Sequence, residues 1–114
     1  MKKKKIKKPF FSIITVVKND EVNIQKTIKS IISQSFKNFE YIVIDGKSTD
    51  KTIKKINNYK NKISYILSEK DRGIYFAMNK GIKIATGNFL LFVNSGDLLT
   101  KNALKIIYKL YSKN

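Results

Sequence analysis

The sequence predicts an α/β fold with a parallel sheet that is covered by helices on both faces. Three observations predict it: four short apolar segments rich in β-branched or aromatic residues, a segment with helical apolar spacing after each of them, and polar residues between the two. A strand–helix unit that repeats in this way makes successive strands parallel, because each helix crosses back over the sheet. The crossovers are expected to be right-handed.

The predicted elements alternate along the chain. The strands are predicted over residues 11–17, 39–44, 63–67 and 89–93, and the helices over residues 21–34, 49–60, 74–85 and 103–111. Polar residues that can cap a helix precede the first two helices: Asn19 or Asp20 before the first, and Ser48 before the second. Gly87 suits the turn that ends the third helix.

The composition is strongly basic. Lys and Arg number 24 against 8 Asp and Glu, a formal net charge of +16 over 114 residues. Six lysines lie within the first eight residues, so residues 1–9 form a basic tail that Pro9 closes before a domain over residues 10–114. Lysine also recurs throughout the domain, which is typical of a general compositional bias. The tail predicts peripheral contact with an anionic membrane, worth ~1 kcal/mol per basic residue. Nucleic acid is not an expected partner, because aromatic and basic residues form no stacking pattern.

The residues that are missing exclude several kinds of chemistry. The sequence has no Cys and no His, so it lacks disulfides, thiolate nucleophiles, Ser-His-Asp catalysis and the usual zinc ligands. A metal would need oxygen ligands, which favours Mg²⁺ or Mn²⁺. The apolar run 10–17 ends at Lys18 without a cleavage site, and no run approaches the ~20 residues of a membrane span. We therefore expect a cytoplasmic protein, which the tail can bring to the inner face of the membrane.

Polar residues follow each predicted strand. In parallel sheets ligands bind beyond the carboxyl ends of the strands, close to the point where the strand order reverses. The residues expected to surround a ligand are therefore Lys18 and Asn19, Asp45 and Gly46, residues 68–72, and residues 94–97.

Asp45 ends the second predicted strand and can accept hydrogen bonds from a ligand. The alternative role is a helix cap, but Ser48 and Asp50 can cap the next helix, so Asp45 is expected to be free for a ligand. Residues 46–49 read GKST, as at the end of a phosphate-binding P-loop. That motif needs a glycine where Tyr41 stands, and a loop where a strand is predicted, so we exclude a P-loop.

Two further residues can each either bind a ligand or have a purely structural role. Arg72 is the only arginine, and its planar fork suits a phosphate, or else an internal carboxylate such as Asp71 or Asp45. Asp97 can hold a hard cation against a diphosphate. The alternative is that the Asn-Ser-Gly-Asp segment it ends is a type I turn before the last helix.

Three stretches of the sequence carry a resemblance to a known family. They read FSIITVVKN, TIKSIISQSFKNFEYIVIDGKSTDKT and SEKDRGIYFAMNKGIKIATGNFLLFVNSGD, and lie between residue 11 and about residue 99. Together they resemble the N-terminal half of inverting family 2 glycosyltransferases, and most of all those that build bacterial surface polysaccharides. The resemblance implies a Rossmann-like sheet of the glycosyltransferase-A fold. It also implies transfer of a sugar from a nucleotide-diphosphate sugar to an acceptor hydroxyl.

The resemblance also implies the residues of a nucleotide-sugar site. They are Val16, Lys18, Asn19, Asp45, Arg72, Gly73, Asn94 and Ser95. The first three would line the base and ribose, Asp45 would receive the base or ribose, and the Arg-Gly pair would border the diphosphate. Asp97 would be the ligand of a divalent metal, Mn²⁺ or Mg²⁺, within the segment that matches the DxD region of the family.

The sequence departs from the family pattern at several points. Asn94 and Gly96 stand where the two aspartates of the DxD region are usual, and Phe76 stands where an aspartate is common. The acceptor region and the general base of the family follow the DxD region, so no residue is assigned as the base. We therefore expect a domain truncated after this region: the donor-binding part of a transferase or, alternatively, a nucleotide-sugar-binding module without turnover. The expected partners are a second copy or a separate C-terminal half.

Overall fold

The structure, a computed structural model, describes residues 8–113. The strands are β1 (Phe11–Val17), β2 (Phe39–Asp45), β3 (Tyr65–Ser68) and β4 (Phe89–Phe92). The helices are α1 (Ile24–Ile32), α2 (Thr52–Asn57), α3 (Ile74–Ile84) and α4 (Ala103–Ser112), with a 3-10 turn at Lys60–Lys62. The predicted strand–helix alternation and the α/β class are confirmed.

All four strands are parallel and lie in the order β3-β2-β1-β4. Phe11 of β1 pairs with Phe39 of β2 on one side and with Phe89 of β4 on the other. The chain therefore adds strands in one direction from β1 to β3, and then returns to the opposite side of β1 for β4. This reversal places the point where ligands bind in such sheets at the carboxyl end of β1.

The two faces of the sheet bury two apolar clusters. Every residue of β1 and β2 is buried, which explains why both strands read as continuous apolar runs. Ile13 and Val43 point into the larger cluster with α1, α2 and α4, whereas Ile14 and Ile44 point into the smaller cluster with α3. The helices thus cover both faces, as predicted.

The predicted caps of the first two helices are wrong. Asn23 is the N-cap of α1 and Lys51 is that of α2, and neither side chain makes a capping hydrogen bond. Asn19, instead of capping α1, accepts hydrogen bonds from the loop after β2. Ser48 donates its hydroxyl to the Asp45 carboxylate, 2.5 Å away. Polar side chains at the strand ends are used to join neighbouring loops, so they are not available to the helix that follows.

Gly87 has a different role from the predicted one. The helix α3 ends with Ala85 as its C-cap, and Gly87 lies beyond it, against the backbone of β1. The Gly87 amide donates to Ser12 Oγ at 2.7 Å. Ser12 Oγ in turn donates to the fully buried carboxylate of Glu40 at 2.5 Å. Gly87 therefore allows the chain to approach the sheet closely enough for this buried network to form.

β4 is an edge strand among the described residues, because it pairs only with β1. Its sequence, FLLF, contains no charge or proline, the usual means of protecting an edge. Leu90 is 44% exposed at this edge. The open backbone groups and apolar side chains of β4 favour pairing with another strand.

We expect the 114-residue chain to self-associate through this edge. Static light scattering should show a mass that rises with protein concentration. Leu90→Lys should shift the mass toward the monomer, because a charge on the edge opposes strand pairing. Val22→Lys is the matched control, since Val22 is 74% exposed and lies outside the sheet. A wild-type chain that stays monomeric at all concentrations would contradict the prediction.

Candidate functional site

A cleft of about 240 Å³ opens at the carboxyl end of β1, where the strand order reverses. The residues that line it are Val16, Val17, Lys18, Asp71, Gly73, Ile74 and Ala77. They come from the end of β1, the loop after β3 and the first turn of α3. The apolar side chains provide one wall, and the charged side chains of Lys18 and Asp71 border it. Three of the residues predicted from sequence, Val16, Lys18 and Gly73, therefore lie in one cleft.

The loops after β1, β2 and β3 converge around Gly46. The Gly46 amide donates to the Val17 carbonyl at 2.9 Å. A Cβ atom at this position would lie 3.1 Å from Asp71 Oδ2 and 3.4 Å from Lys18 Cβ. A side chain at Gly46 would therefore crowd both charged residues that border the cleft. Asp71 falls within residues 68–72, which the sequence predicts to surround a ligand, but it is not among the nucleotide-sugar-binding residues that the resemblance implies.

Asp45 is not free for a ligand in the way predicted, because its carboxylate joins two loops. The side chain is fully buried. Its Oδ2 accepts hydrogen bonds from the Ser48 amide at 3.0 Å and from the Ser68 hydroxyl at 2.7 Å, while Oδ1 accepts from the Ser48 hydroxyl. The carboxylate thus holds the ends of β2 and β3 in position beside the cleft.

Asn19 joins the loop after β1 to the loop after β2. Its backbone has a left-handed φ of 50°, which asparagine tolerates better than most residues. Its Oδ1 accepts a hydrogen bond from the Thr49 amide at 2.7 Å, and its own amide donates to Ser48 Oγ at 2.8 Å. The side-chain oxygen of Asn19 is therefore occupied. The side-chain NH₂ group of Asn19 and the exposed Lys18 beside it can still donate to a ligand.

Asp50 stiffens the same loop. It accepts hydrogen bonds from the amide of Thr52 at 2.9 Å and from the amide of Glu21 at 3.3 Å. A further bond from the Thr52 hydroxyl is the main reason why the pKa of Asp50 lies below its usual value. Because the folded-state pKa is lowered, these contacts stabilise the loop above the ordinary carboxyl pKa and weaken as the pH falls through the lowered value.

Arg72 and Gly73 border the cleft at the beginning of α3. Arg72 is exposed and, among residues 8–113, takes part in no ion pair, so neither Asp45 nor Asp71 is its partner. Asp71 Oδ1 instead accepts a hydrogen bond from the Gly73 amide at 3.1 Å. Gly73 is the N-cap of α3, with a φ of 124° that favours glycine. The positive end of a three-turn helix therefore lies at the cleft, and the exposed Arg72 directly precedes it in the chain.

The loop after β4 is tied to β1 and α1. The Ser95 amide donates to the Val16 carbonyl at 3.3 Å, and the Ser95 hydroxyl donates to Asp20 Oδ2 at 2.8 Å. The Asp97 amide donates to the Asn94 carbonyl at 2.9 Å, which closes a four-residue turn. Gly96 has a φ of 100°, so the segment is a turn but not the type I turn of the alternative interpretation, in which both central residues have negative φ.

A buried pair of hydroxyl groups supports this loop from beneath. Thr15 Oγ1 donates to the Val93 carbonyl at 2.6 Å and therefore accepts from the Tyr41 hydroxyl, 2.8 Å away. Burial raises the pKa of Tyr41 above its ordinary value, so the phenol stays neutral and keeps its proton for this bond. Asn94 directly follows Val93, whose carbonyl is fixed by this hydrogen bond from Thr15.

The donor set of this loop fits a hard cation that is held mainly by phosphate and water. Asn94 Oδ1 is buried and has no hydrogen-bond partner, and such an atom is costly unless something binds it. Asp97 is exposed, and its Oδ2 accepts a bond from the Asn94 amide at 3.3 Å. Within the described part of the chain no three carboxylates cluster as a complete metal site. Mg²⁺ commonly takes one or two protein carboxylates together with substrate phosphates.

Comparison with known proteins identifies the family. The family model described as glycosyl transferase family 2 matches residues 12–114. The chain belongs to the family 2 glycosyltransferases. An uncharacterized glycosyltransferase of Mycobacterium tuberculosis is 40% identical over 90 residues, which cover 78% of this chain and 34% of the relative. A PGL/p-HBAD biosynthesis glycosyltransferase of Mycobacterium bovis is 36% identical over 94 residues, which cover 80% and 37%.

Solved glycosyltransferases share the fold. The crystal structure of Staphylococcus aureus TarS 1-349 in complex with UDP-GlcNAc has a TM-score of 0.84 and 31% identity, covering 90% of this chain and 31% of the 1-349 chain. A mannosyltransferase of Pyrobaculum calidifontis in complex with GDP-Man and Mn²⁺ has a TM-score of 0.69 and 21% identity, covering 81% and 29%, and shows likeness of fold alone. The chain thus spans about a third of the length of the proteins it matches.

The predicted site residues lie in three places: the cleft, the loops that join β1, β2 and β3, and the loop after β4. Val16, Lys18 and Gly73 line the cleft, and Arg72 stands next to Gly73. The remaining residues lie in the loops beside it: Asn19 and Asp45 between β1, β2 and β3, and Asn94, Ser95 and Asp97 after β4.

Among residues 8–113 no helix is both long and apolar enough to cross a bilayer.

Proposed function

We propose that this chain supplies the donor-binding part of a glycosyltransferase that moves a sugar from a nucleotide-diphosphate sugar to an acceptor hydroxyl. The observation that carries the proposal is the cleft at the carboxyl end of β1, which is lined by an apolar wall, Lys18 and the start of α3 and has the exposed Arg72 next to Gly73. The same fold holds UDP-GlcNAc in TarS, which is 31% identical to this chain.

The base and ribose are proposed to enter between the loops after β1 and β2. Val16 and Lys18 line the cleft here, and the exposed Asn19 stands beside them. Asp45 acts through Ser48 and Ser68, because its carboxylate is already bonded to both. In this proposal Asp45 is a positioning residue that holds the nucleotide-facing loops.

The diphosphate is proposed to lie against Arg72, Gly73 and Lys18. A guanidinium can donate two parallel hydrogen bonds to phosphate oxygens, and no carboxylate among the described residues competes for Arg72. The amide groups at the beginning of α3 add donors and a favourable helix dipole.

The loop after β4 is proposed to hold a divalent cation, Mn²⁺ or Mg²⁺, when the donor is bound. Asp97 would hold it, and Asn94 Oδ1 is a second oxygen that lacks a partner. When bound, such a cation neutralises negative charge on the diphosphate. Ser95, bonded to both Val16 and Asp20, keeps this loop against the cleft.

The proposed reaction is the displacement typical of inverting transferases. The acceptor oxygen attacks the anomeric carbon, the bond from that carbon to the diphosphate breaks, and a carboxylate takes the acceptor proton. The cationic groups around the cleft would stabilise the charge that develops on the leaving diphosphate. Asp71 is the only carboxylate lining the cleft within residues 8–113, and it already accepts the Gly73 amide. That observation favours, as a second candidate, a nucleotide-sugar-binding module without turnover.

Donor binding can be tested by removing the phosphate contacts. Isothermal titration calorimetry with UDP, GDP and UDP-GlcNAc should show binding to the chain in the presence of Mn²⁺. Arg72→Ala and Lys18→Ala should each weaken the affinity about tenfold, since a charge-assisted hydrogen bond contributes ~1.5–3 kcal/mol and part of this is lost to solvent screening.

The matched control for both variants is Lys54→Ala, an exposed cation on α2. It should leave the affinity unchanged if the effect is local to the cleft. Equal weakening by all three variants would mean that the nucleotide is attracted by the overall positive charge and not by residues of the cleft. Binding followed by release of free sugar or transfer to an acceptor would separate the transferase from the binding module.

A further inference from the structure

Three consecutive large apolar residues are exposed in the first turn of α3. Ile74 is 52% exposed, Tyr75 is 77% exposed and Phe76 is 51% exposed. A run of three exposed apolar side chains is unfavourable in water and is retained where it has a function, such as the binding of a ligand. Ile74 already lines the cleft at the carboxyl end of β1, so the run extends the apolar wall of that cleft onto its rim.

Phe76 lies on the side of α3 that carries Gly73. The Ala77 amide donates to the Gly73 carbonyl at 3.1 Å, and this bond closes the first turn of the helix. Positions three apart on a helix are neighbours, whereas positions two apart face different sides. Phe76 is therefore beside Gly73, and Tyr75 is not. The Cα–Cβ bonds of a helix also tilt toward its N-terminus, which here is the end that borders the cleft.

The ring of Phe76 is not used by the fold. Within residues 8–113 it belongs to neither of the two apolar clusters, and it does not take part in the ring contacts around Phe10, Phe36 and Phe89. An aromatic ring with an open face can stack on a second flat apolar surface. The C–H groups on one face of a pyranose ring form such a surface, and they complement the negative face of the aromatic ring.

We propose that Phe76 is a specificity-determining residue that stacks on the sugar ring of the donor. The inference rests on the proposed function, in which the diphosphate lies against Arg72 and Gly73. The sugar is joined to the outer phosphate through one oxygen, so it follows the diphosphate to the neighbouring position on the helix, which is Phe76. A phenyl ring offers no hydrogen bond and no charge. The substrate class that fits it is a neutral hexopyranose with an uninterrupted C–H face.

A protein partner is the alternative occupant of this surface. A protein that covered the first turn of α3 would bury Tyr75 as well as Phe76, because Tyr75 is the more exposed of the two. A sugar that is held through its diphosphate reaches only the side of Gly73. The two occupants therefore differ in how they depend on Tyr75.

Calorimetry with matched ligand pairs tests the inference. The pairs are UDP with UDP-glucose and GDP with GDP-mannose, each with Mn²⁺. Phe76→Ala should weaken the affinity for the nucleotide sugar about tenfold and change that for the bare nucleotide less than twofold, because only the sugar meets the ring. Phe76→Tyr keeps the ring and should bind both within about twofold of the unchanged chain. Phe76→Leu is apolar but not flat, so it should show most of the loss.

Two control variants remove exposed apolar side chains from the same helix. Tyr75→Ala changes the adjacent aromatic residue on another side of α3. Ile82→Ala changes a side chain that is 42% exposed and lies ~9 Å further along the helix axis. Neither should alter the affinity for the nucleotide sugar more than about twofold. Circular dichroism should show all these variants folded, since every changed side chain is exposed.

Fluorescence provides a second measurement. The chain has no tryptophan, so Phe76→Trp introduces a single indole at the proposed contact. Its emission should change when the nucleotide sugar is added and much less when the bare nucleotide is added. Tyr75→Trp should respond to neither ligand.

The outcomes separate this inference from the proposed function. If no nucleotide or nucleotide sugar binds, the proposed function is wrong and the inference is wrong with it. If the nucleotide binds through Arg72 but Phe76→Ala binds the nucleotide sugar as tightly as the unchanged chain does, only the inference is overturned. An equal loss in Tyr75→Ala would also overturn it, because the apolar surface would then act as a whole.

Discussion

Replacement of Gly87 by alanine is expected to destabilise the fold by about 3 kcal/mol or more. A Cβ atom at this position would lie 2.7 Å from the Phe11 carbonyl carbon, the Ser12 amide nitrogen and Ser12 Oγ. Two of these atoms belong to the backbone of the central strand, so they cannot rotate away. Inserting an atom into a packed interior costs ~1–3 kcal/mol, and more where the backbone must move. Chemical denaturation followed by circular dichroism measures the loss.

The expected loss also includes part of the buried network around Glu40. Displacing Gly87 lengthens its bond to Ser12, and Ser12 and Thr86 both donate to the Glu40 carboxylate. Asn88→Ala, at the exposed neighbouring position, should change the free energy of unfolding by less than ~0.5 kcal/mol. If the unfolding curves of Gly87→Ala and Asn88→Ala coincide, the close approach of the backbone at Gly87 does not constrain the fold.

Gly81→Ala provides a graded comparison. Its Cβ would meet Ile14 Cγ2 at 2.6 Å, but this is a side-chain atom, and alanine is favoured over glycine within a helix by ~1 kcal/mol. The variant should therefore lose less stability than Gly87→Ala. A larger loss at Gly81 would mean that Ile14 cannot adjust its rotamer.

Asp45→Ala is expected to give the largest loss of donor binding. The variant leaves the Ser48 amide, the Ser48 hydroxyl and the Ser68 hydroxyl without their shared acceptor. The ends of β2 and β3 then separate, and the nucleotide-facing loops lose their arrangement. We expect the affinity for UDP-GlcNAc to fall at least tenfold and the stability to fall by roughly 1–3 kcal/mol. Calorimetry and chemical denaturation measure the two effects.

Asp97→Ala is expected to affect the same affinity in a different way. It removes the exposed carboxylate proposed for the metal, so it should abolish the gain in affinity that Mn²⁺ brings and leave metal-free binding as it was. Glu69→Ala is the control, because the Glu69 carboxylate lies at the surface, where it forms an ion pair with Lys80 Nζ at 3.0 Å. If neither Asp45→Ala nor Asp97→Ala changes the affinity, the proposed site is in the wrong place.

The order and type of the elements could be predicted from local patterns. The continuous apolar runs of β1 and β2 predict strands buried on both faces, because only a sheet covered on both sides hides every residue of a strand. The spacing of Ile24, Ile28 and Ile31 predicts the buried side of α1. The rule that ligands bind at the carboxyl ends of parallel strands correctly predicted that Lys18 and part of residues 68–72 lie at one cleft, whereas Gly73 was implied only by the family resemblance.

The hydrogen-bond partners of the site residues could not be predicted in the same way. Asp45 was expected to be free, yet it bonds to Ser68, 23 positions away. Ser48 and Asn19 were expected to begin helices, yet they bond to each other's loops. Local spacing determines which way a side chain points, whereas the packing of distant loops determines which donors come within reach of a buried acceptor.

The sequence by itself determined the fold class, the resemblance to family 2 glycosyltransferases and the end of the sheet at which the cleft lies. Only the tertiary structure decided that Asp71 lines the cleft, that Gly87 must lack a side chain, and that Phe10 packs against Tyr111 of α4. The physical reason is the range of the interactions. Apolar periodicity acts over one or two turns of a helix or along one strand, while close approach, hydrogen-bond satisfaction and shared surfaces arise between segments that meet only after folding.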